Sequence, residues 1–170
     1  MKKLFLLLIV LSFSVTIFAQ SDPTIEQTAM KYISAYGKWD FDAMKELFAD
    51  NIHFEDPTGT DAFGQSFVFD GKENVYAFFK NVFKDKFANS RPPYVNFNVE
   101  KKFVSGPFVV VNSTFECIIP TSWFKADSTE TILISVPFTT ILKVENGLIT
   151  EHTDYGDYAK YNQQISAQLK

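Results

Sequence analysis

The spacing of apolar residues changes once along this chain. Up to Phe83 it follows the helical period of about 3.6, and from Tyr94 onward the strand period of 2. In Thr24–Tyr36 the residues Ile25, Ala29, Tyr32, Ile33 and Tyr36 share one helix face, and Gly37 ends it. Asp40 is placed to cap a second helix running through Phe48, with Phe41, Met44, Leu47 and Phe48 inward. Asp70-Gly71-Lys72-Glu73 has the form of a capping box and opens a third helix carrying Val75, Phe78, Phe79, Val82 and Phe83. One short strand, Ile52–Asp56, interrupts this half; the turn Asp56-Pro57-Thr58-Gly59 stops it and a loop follows to Phe69. The second half reads as strands over Tyr94–Val104, Phe108–Ile119, Thr129–Val144 and Leu148–Asp157. Glu145-Asn146-Gly147 is a hairpin signal between the last two. Segregated helices and strands predict an α+β fold, not an alternating α/β one.

The first residues carry a different signal. Lys2 and Lys3 precede a run from Leu4 to Phe18 broken only by Ser12, Ser14 and Thr16. A positive start and a short apolar run describe a secretory signal cut within a few residues of Ala19. The run is short for a membrane span, which takes about 20 apolar residues. A single N-terminal anchor is the alternative. Export to the periplasm or beyond, with 1–20 removed and one domain over 21–170, is the expectation.

Loss of Lys2 and Lys3 takes the formal charge from −4 to −6. That argues against nucleic acid, which is bound through basic patches. Arg91 is the only arginine, so no multi-arginine phosphate clamp can form. The single cysteine, Cys117, excludes an intrachain disulfide and reads as a small buried residue. Nineteen phenylalanines call for a large core, an apolar cavity, or both. His53, His152, Asp56 and Asp154 lack metal-ligand spacing, and His53 alternates away from Asp56, so no metal and no cofactor is expected.

One stretch carries a resemblance. Residues 32–56 read YISAYGKWDFDAMKELFADNIHFED and are followed by Pro57-Thr58-Gly59. A helix tyrosine, Leu47-Phe48-Ala49-Asp50, and Glu55-Asp56-Pro57 before Gly59 resemble ketosteroid isomerase and its relatives in the nuclear transport factor 2-like superfamily, including SnoaL-like polyketide cyclases. Gly71 and Ala77-Phe78-Phe79 fit again, and Gly147-Leu148-Ile149 with His152, Asp154 and Tyr155 is similar to SnoaL-like endings. The resemblance implies a cone-shaped fold, with three N-terminal helices on a curved antiparallel sheet enclosing a pocket. It implies that Asp56 is the base that moves a proton beside a carbonyl, and that Tyr32 donates to the enolate oxygen. The isomerase pattern has an acid two residues after Pro137; here that position is Thr139, a weaker donor, with Ile141 next on the same strand face. The superfamily's usual pairing through the outer sheet face implies a homodimer. The run Ile132, Ile134, Val136, Phe138, Leu142 and Val144, opposite Thr139, is the expected surface.

The residues themselves keep two readings open at each position. Asp56 shares a face with Ile52 and Phe54, where lost hydration would raise its pKa; it equally suits the Asp-Pro-Thr-Gly turn. Tyr32 is either an oxyanion donor or a core residue. His152 and Asp154 alternate with Thr150 and either enter the pocket as an acid–base pair or form a solvated strand end. Strand 108–119 is ambiguous: resemblance to the isomerase register sends Phe115 inward and Glu116 outward, the epoxide hydrolase register sends Glu116 inward, and the first is the expectation. Phe54, Phe115, Thr139 and Ile141 are the expected substrate contacts. Three functions follow: proton-transfer enzyme on a small apolar carbonyl compound, non-catalytic carrier of an apolar metabolite, or assembly module.

Overall fold

In the computed structural model, residues 23–87 and 94–170 are described. The candidate signal segment and Arg91 lie outside them. The chain runs α1 (Pro23–Tyr36), α2 (Phe41–Lys45), β1 (Phe48–Asp56), a 3-10 turn over Pro57–Gly59, α3 (Thr60–Phe63), β2 (Phe67–Asp70) and α4 (Lys72–Phe87). Then follow β3 (Val95–Ser105), β4 (Phe108–Pro120), a second 3-10 turn over Thr121–Trp123, β5 (Thr131–Glu145), β6 (Leu148–Gly156) and α5 (Tyr158–Gln168).

Six strands form one curved sheet in the order β2-β1-β6-β5-β4-β3. Every neighbouring pair is antiparallel except β1 and β6, which run parallel. The sheet is therefore mixed, because the helices carry the chain from the β1–β2 end around to β3 before β6 returns beside β1. Ala29, Tyr32, Ile33 and Tyr36 of α1 and Val75 and Phe79 of α4 pack on its inner face. A second apolar cluster, Cys117, Ile119, Ile132, Ile134 and Val136, is closed by Ile165 of α5.

Several local readings are corrected. The second helix stops at Lys45, and β1 starts at Phe48. Leu47 and Phe48 must be buried in either conformation, and pairing of Phe48 with Ile149 of β6 decides for strand. The loop to Phe69 contains α3 and β2, with Phe67 and Phe69 alternating onto Phe78. The capping box does not form: Asp70 accepts from the His53 ring at 2.7 Å and Glu73 pairs with Lys45. Gly71 precedes the helix instead, at φ +84°, where only glycine is unstrained. The hairpin at Asn146-Gly147 forms as expected, with φ +53° and +77°.

The facing of β5 is the largest correction. Ile132, Ile134, Val136, Phe138, Leu142 and Val144 are buried, and they line the interior. Thr139 and Ile141 consequently lie on the outer face. The apolar run is core because it is the only face of a central strand rich enough to hold the helices.

The C-terminal helix α5 was not anticipated. Asp157 caps it by accepting from Lys160 N at 2.9 Å. It covers the part of β5 that β6 does not reach. Gln164 accepts from Ser135 N at 2.8 Å and donates to Ser135 O at 2.8 Å. Gln168 accepts from Leu133 N at 3.0 Å and donates to Leu133 O at 2.7 Å. Four helix residues rise about 6 Å and two strand residues about 6.6 Å, so the two amides fall in register with alternate peptides. They satisfy an edge that would otherwise be open to strand addition. Gln164→Ala with Gln168→Ala is expected to lower stability by about 1–3 kcal/mol and to promote aggregation. Urea denaturation and light scattering check both.

Candidate active site

The same spacing rule builds the polar centre. Tyr32 and Tyr36 lie one turn apart on α1, and His152 and Asp154 lie two residues apart on β6. Tyr32 Oη lies 2.7 Å from His152 Nδ1, and Tyr36 Oη donates to Asp154 Oδ2 at 2.8 Å. Thr140 of β5 donates to Asp154 Oδ1 at 2.7 Å. His152 Nε2 lies 2.9 Å from Asp154 Oδ1, close but too poorly directed for a good hydrogen bond. All five side chains are buried. A bulge makes this possible. Lys143 pairs with Glu151 while Val144 pairs with Ile149, so Thr150 is the extra residue. Ile149 then points inward, and so do His152 and Asp154.

Asp56 ends β1, 4% exposed, on the inner face with Ile52 and Phe54. Its Oδ1 accepts from Thr58 N (3.0 Å), Thr58 Oγ1 (2.7 Å) and Gly59 N (2.9 Å). Its Oδ2 accepts from Tyr158 Oη of α5 at 2.6 Å. Asp56 therefore organises the turn and also faces the interior. Burial raises its pKa above the ordinary carboxylate value and the charge of Asp154 adds to this; the bonds from Tyr158, Thr58 and Gly59 oppose it. Burial, then the negative charge of Asp154, raises Tyr32 and Tyr36 well above the usual phenol value. Burial and then Asp56 do the same for Tyr158. All three phenols are protonated at neutral pH.

Asp56 and Asp154 line one cavity of about 320 Å³. Phe54, Phe67, Phe78 and Phe79 line it together with Tyr36, Phe63, Gln65, Trp123, Tyr158 and Tyr161. A narrower space of about 100 Å³, lined by Phe97, Phe115, Cys117 and Phe138, shares Tyr36, Trp123 and Tyr158 with it. A groove of about 550 Å³ between β2 and α4 is larger, but it is open and presents no buried polar group.

Of the residues expected from sequence, Asp56, Asp154 and Phe54 meet at the main cavity and Phe115 at the narrower one. Tyr32 lines neither; its hydroxyl is held at His152. Thr139 also lines neither and donates outward to Asn112 at 3.2 Å, as the parity of β5 requires. Ile141 is half-buried on that outer face. Thr140 occupies the inward position instead. Tyr36, Thr140, Tyr158 and Trp123 were missed. Tyr36 was signalled by its place one turn after Tyr32, and Tyr158 by the helix start at Asp157. His53, with Asp70, faces away from the cavity.

The latch between α5 and Asp56 is tightly packed. A Cβ on Gly156 would lie 2.8 Å from the Tyr158 ring and 3.0 Å from Phe138. Gly156→Ala is expected to displace Tyr158 from Asp56 and to cost about 1–3 kcal/mol by overpacking. A urea midpoint unchanged from wild type would refute this.

A family model for SnoaL-like domains matches residues 29–152. The chain belongs to the SnoaL-like family. Solved structures agree on the nuclear transport factor 2-like fold. A protein from Shewanella denitrificans named for SnoaL-like polyketide cyclases is 24% identical, with TM-score 0.70, covering 86% of this chain and all of that one. Its Shewanella putrefaciens counterpart is 23% identical, with TM-score 0.69, over 86% and 99%. A protein with a ketosteroid isomerase-like fold from Catenulispora acidiphila, bound to trimethylamine, is 16% identical, with TM-score 0.62, over 82% and 92%. No curated protein matches in sequence.

Proposed function

We propose that this SnoaL-like protein moves a proton beside a carbonyl group on a small apolar molecule. The observation that carries this reading is that Asp56 and Asp154 face one aromatic cavity from different hydrogen-bond environments. Asp56 is the base: burial raises its pKa, and Oδ2 has one neutral partner, Tyr158. It takes a hydrogen from the carbon next to the carbonyl and returns it to a second carbon. Tyr36, one turn beyond Tyr32, donates to the oxygen that gains charge, releasing Asp154 as it does so. Asp154 meanwhile keeps the hydrogen bond from Thr140. The test is exchange of ketone α-hydrogens in deuterated water, read by mass spectrometry over a panel of apolar ketones. Exchange by wild type that Asp56→Asn abolishes supports the mechanism; exchange unaffected by that change ends it.

The pH profile gives a second check. Only ionised Asp56 accepts a proton, so activity should rise with pH through a midpoint above about 3.9, the ordinary aspartate value. Asp154 contributes to that elevation, so Asp154→Asn should move the acid limb to lower pH. An unmoved limb would assign it to another group.

A carrier without turnover is the second reading. It is favoured by one observation: Tyr36 and Tyr158 already donate to Asp154 and Asp56. A copurified ligand stable for hours, with no exchange, would select it. We also propose export through the N-terminal segment, tested by mass analysis of the secreted chain. Pairing through the outer sheet face, where Ile118 and Leu133 lie opposite each other and exposed, is tested by light scattering.

A further inference from the structure

We infer that the cavity takes an organic cation: an apolar molecule carrying an amine or ammonium group. The inference uses the same cavity as the proton-transfer reading, and rests on that reading only for its location.

Charge is the first ground. Asp56 and Asp154 are 4% and 1% exposed, and both face the cavity. Buried carboxylates are normally matched by a cation, because removing charge from water is costly. Here the partners around them are hydroxyls, two backbone amides and one imidazole. Among the described residues lining the cavity there is no lysine or arginine. Lysines 45, 80, 102 and 143 are paired on the outside, with Glu73, Asp42, Glu26 and Glu151. His152 lies behind Asp154 and does not line the cavity. Asp56 has no basic side chain among its hydrogen-bond partners. An anionic ligand meets repulsion from both carboxylates, and a neutral one leaves the charge of Asp56 unmatched.

The second ground is the wall. Phe54, Phe67, Phe78, Phe79, Trp123 and Tyr36 surround the carboxylates. Aromatic faces are negative and attract cations lying within about 6 Å, more strongly once water is excluded. The third ground is acceptor capacity. A carboxylate offers about four lone-pair sites. Oδ2 of Asp56 holds only Tyr158 and Oδ2 of Asp154 only Tyr36, so each can take a further donor. An ammonium supplies positive charge and, when not quaternary, donors as well.

The test uses three probes with one aromatic ring each: benzyltrimethylammonium, its uncharged isostere neopentylbenzene, and phenylacetate. Binding to the mature protein is read by quenching of tryptophan fluorescence, Trp123 lying in the wall, and by calorimetry. The ammonium should bind at least tenfold tighter than the isostere, and phenylacetate weakest. Asp56→Asn and Asp154→Asn should each reduce the ammonium preference severalfold while leaving isostere affinity within about twofold. Equal affinity of ammonium and isostere in wild type, tighter phenylacetate, or no binding of any probe overturns the inference. These wild-type outcomes decide it even if a variant fails to fold. Ammonium preference without any ketone exchange would remove the proton-transfer reading alone. Exchange without ammonium preference would remove this inference alone.

Discussion

Asp154→Ala is expected to lower the unfolding free energy by about 2–6 kcal/mol, the cost of leaving two buried hydroxyls without their acceptor. Alanine leaves Tyr36 Oη and Thr140 Oγ1 without their acceptor, and His152 Nε2 without its nearest oxygen. Each orphaned buried group costs about 1–3 kcal/mol. The sum is a large part of a typical total of about 5–15 kcal/mol. Water cannot easily repair the loss, since Tyr36, Thr140 and His152 are all buried. Urea denaturation at neutral pH measures it. A loss under about 1 kcal/mol would mean that the network is not the anchor between α1, β5 and β6. Asp154→Asn should cost less, because the amide oxygen still accepts from one hydroxyl.

Asp56→Asn should have the opposite profile: little loss of fold and a large loss of turnover. An asparagine oxygen at the Oδ1 position can still accept from Thr58 and Gly59, so the turn is kept. The amide at the Oδ2 position can donate to the Tyr158 oxygen. An amide cannot take a proton from carbon at neutral pH, and loss of a positioned base typically costs about 10²–10⁴ in rate. Ketone exchange should fall by that factor with an unchanged urea midpoint. A fall in both together would assign Asp56 to the turn alone. Tyr36→Phe tests the oxygen-side partner in the same assay.

Much of the fold was legible because the two periodicities are segregated. Helices α1 and α4, the four long strands and the Asn146-Gly147 hairpin all follow from spacing that only one secondary structure satisfies. Phe48 was misassigned because both helix and strand would bury it, and Leu47 falls in the turn between α2 and β1. The missed α5 carries mostly polar residues, and its glutamines make sense only against the uncovered edge of β5. At the site, Asp56 with Phe54 was readable from strand alternation. Tyr36 was overlooked although it repeats Tyr32 at helical spacing. The facing of β5 was misread because Thr139 was aligned by its distance from Pro137, and a one-residue change of parity turns every side chain over.

The chain by itself determined its α+β class, helices α1 and α4, the four long strands and the shared face of Ile52, Phe54 and Asp56. Those follow from local periodicity and from the cost of leaving phenylalanine in water. Only the tertiary structure decided which hydroxyl meets which carboxylate. Tyr32 goes to His152, Tyr36 to Asp154 and Tyr158 to Asp56, across 120, 118 and 102 residues of chain. No local rule covers such separations. They are set by the bulge at Thr150, the parity of β5 and the docking of α5 on its free edge, each fixed by pairing between segments distant in sequence.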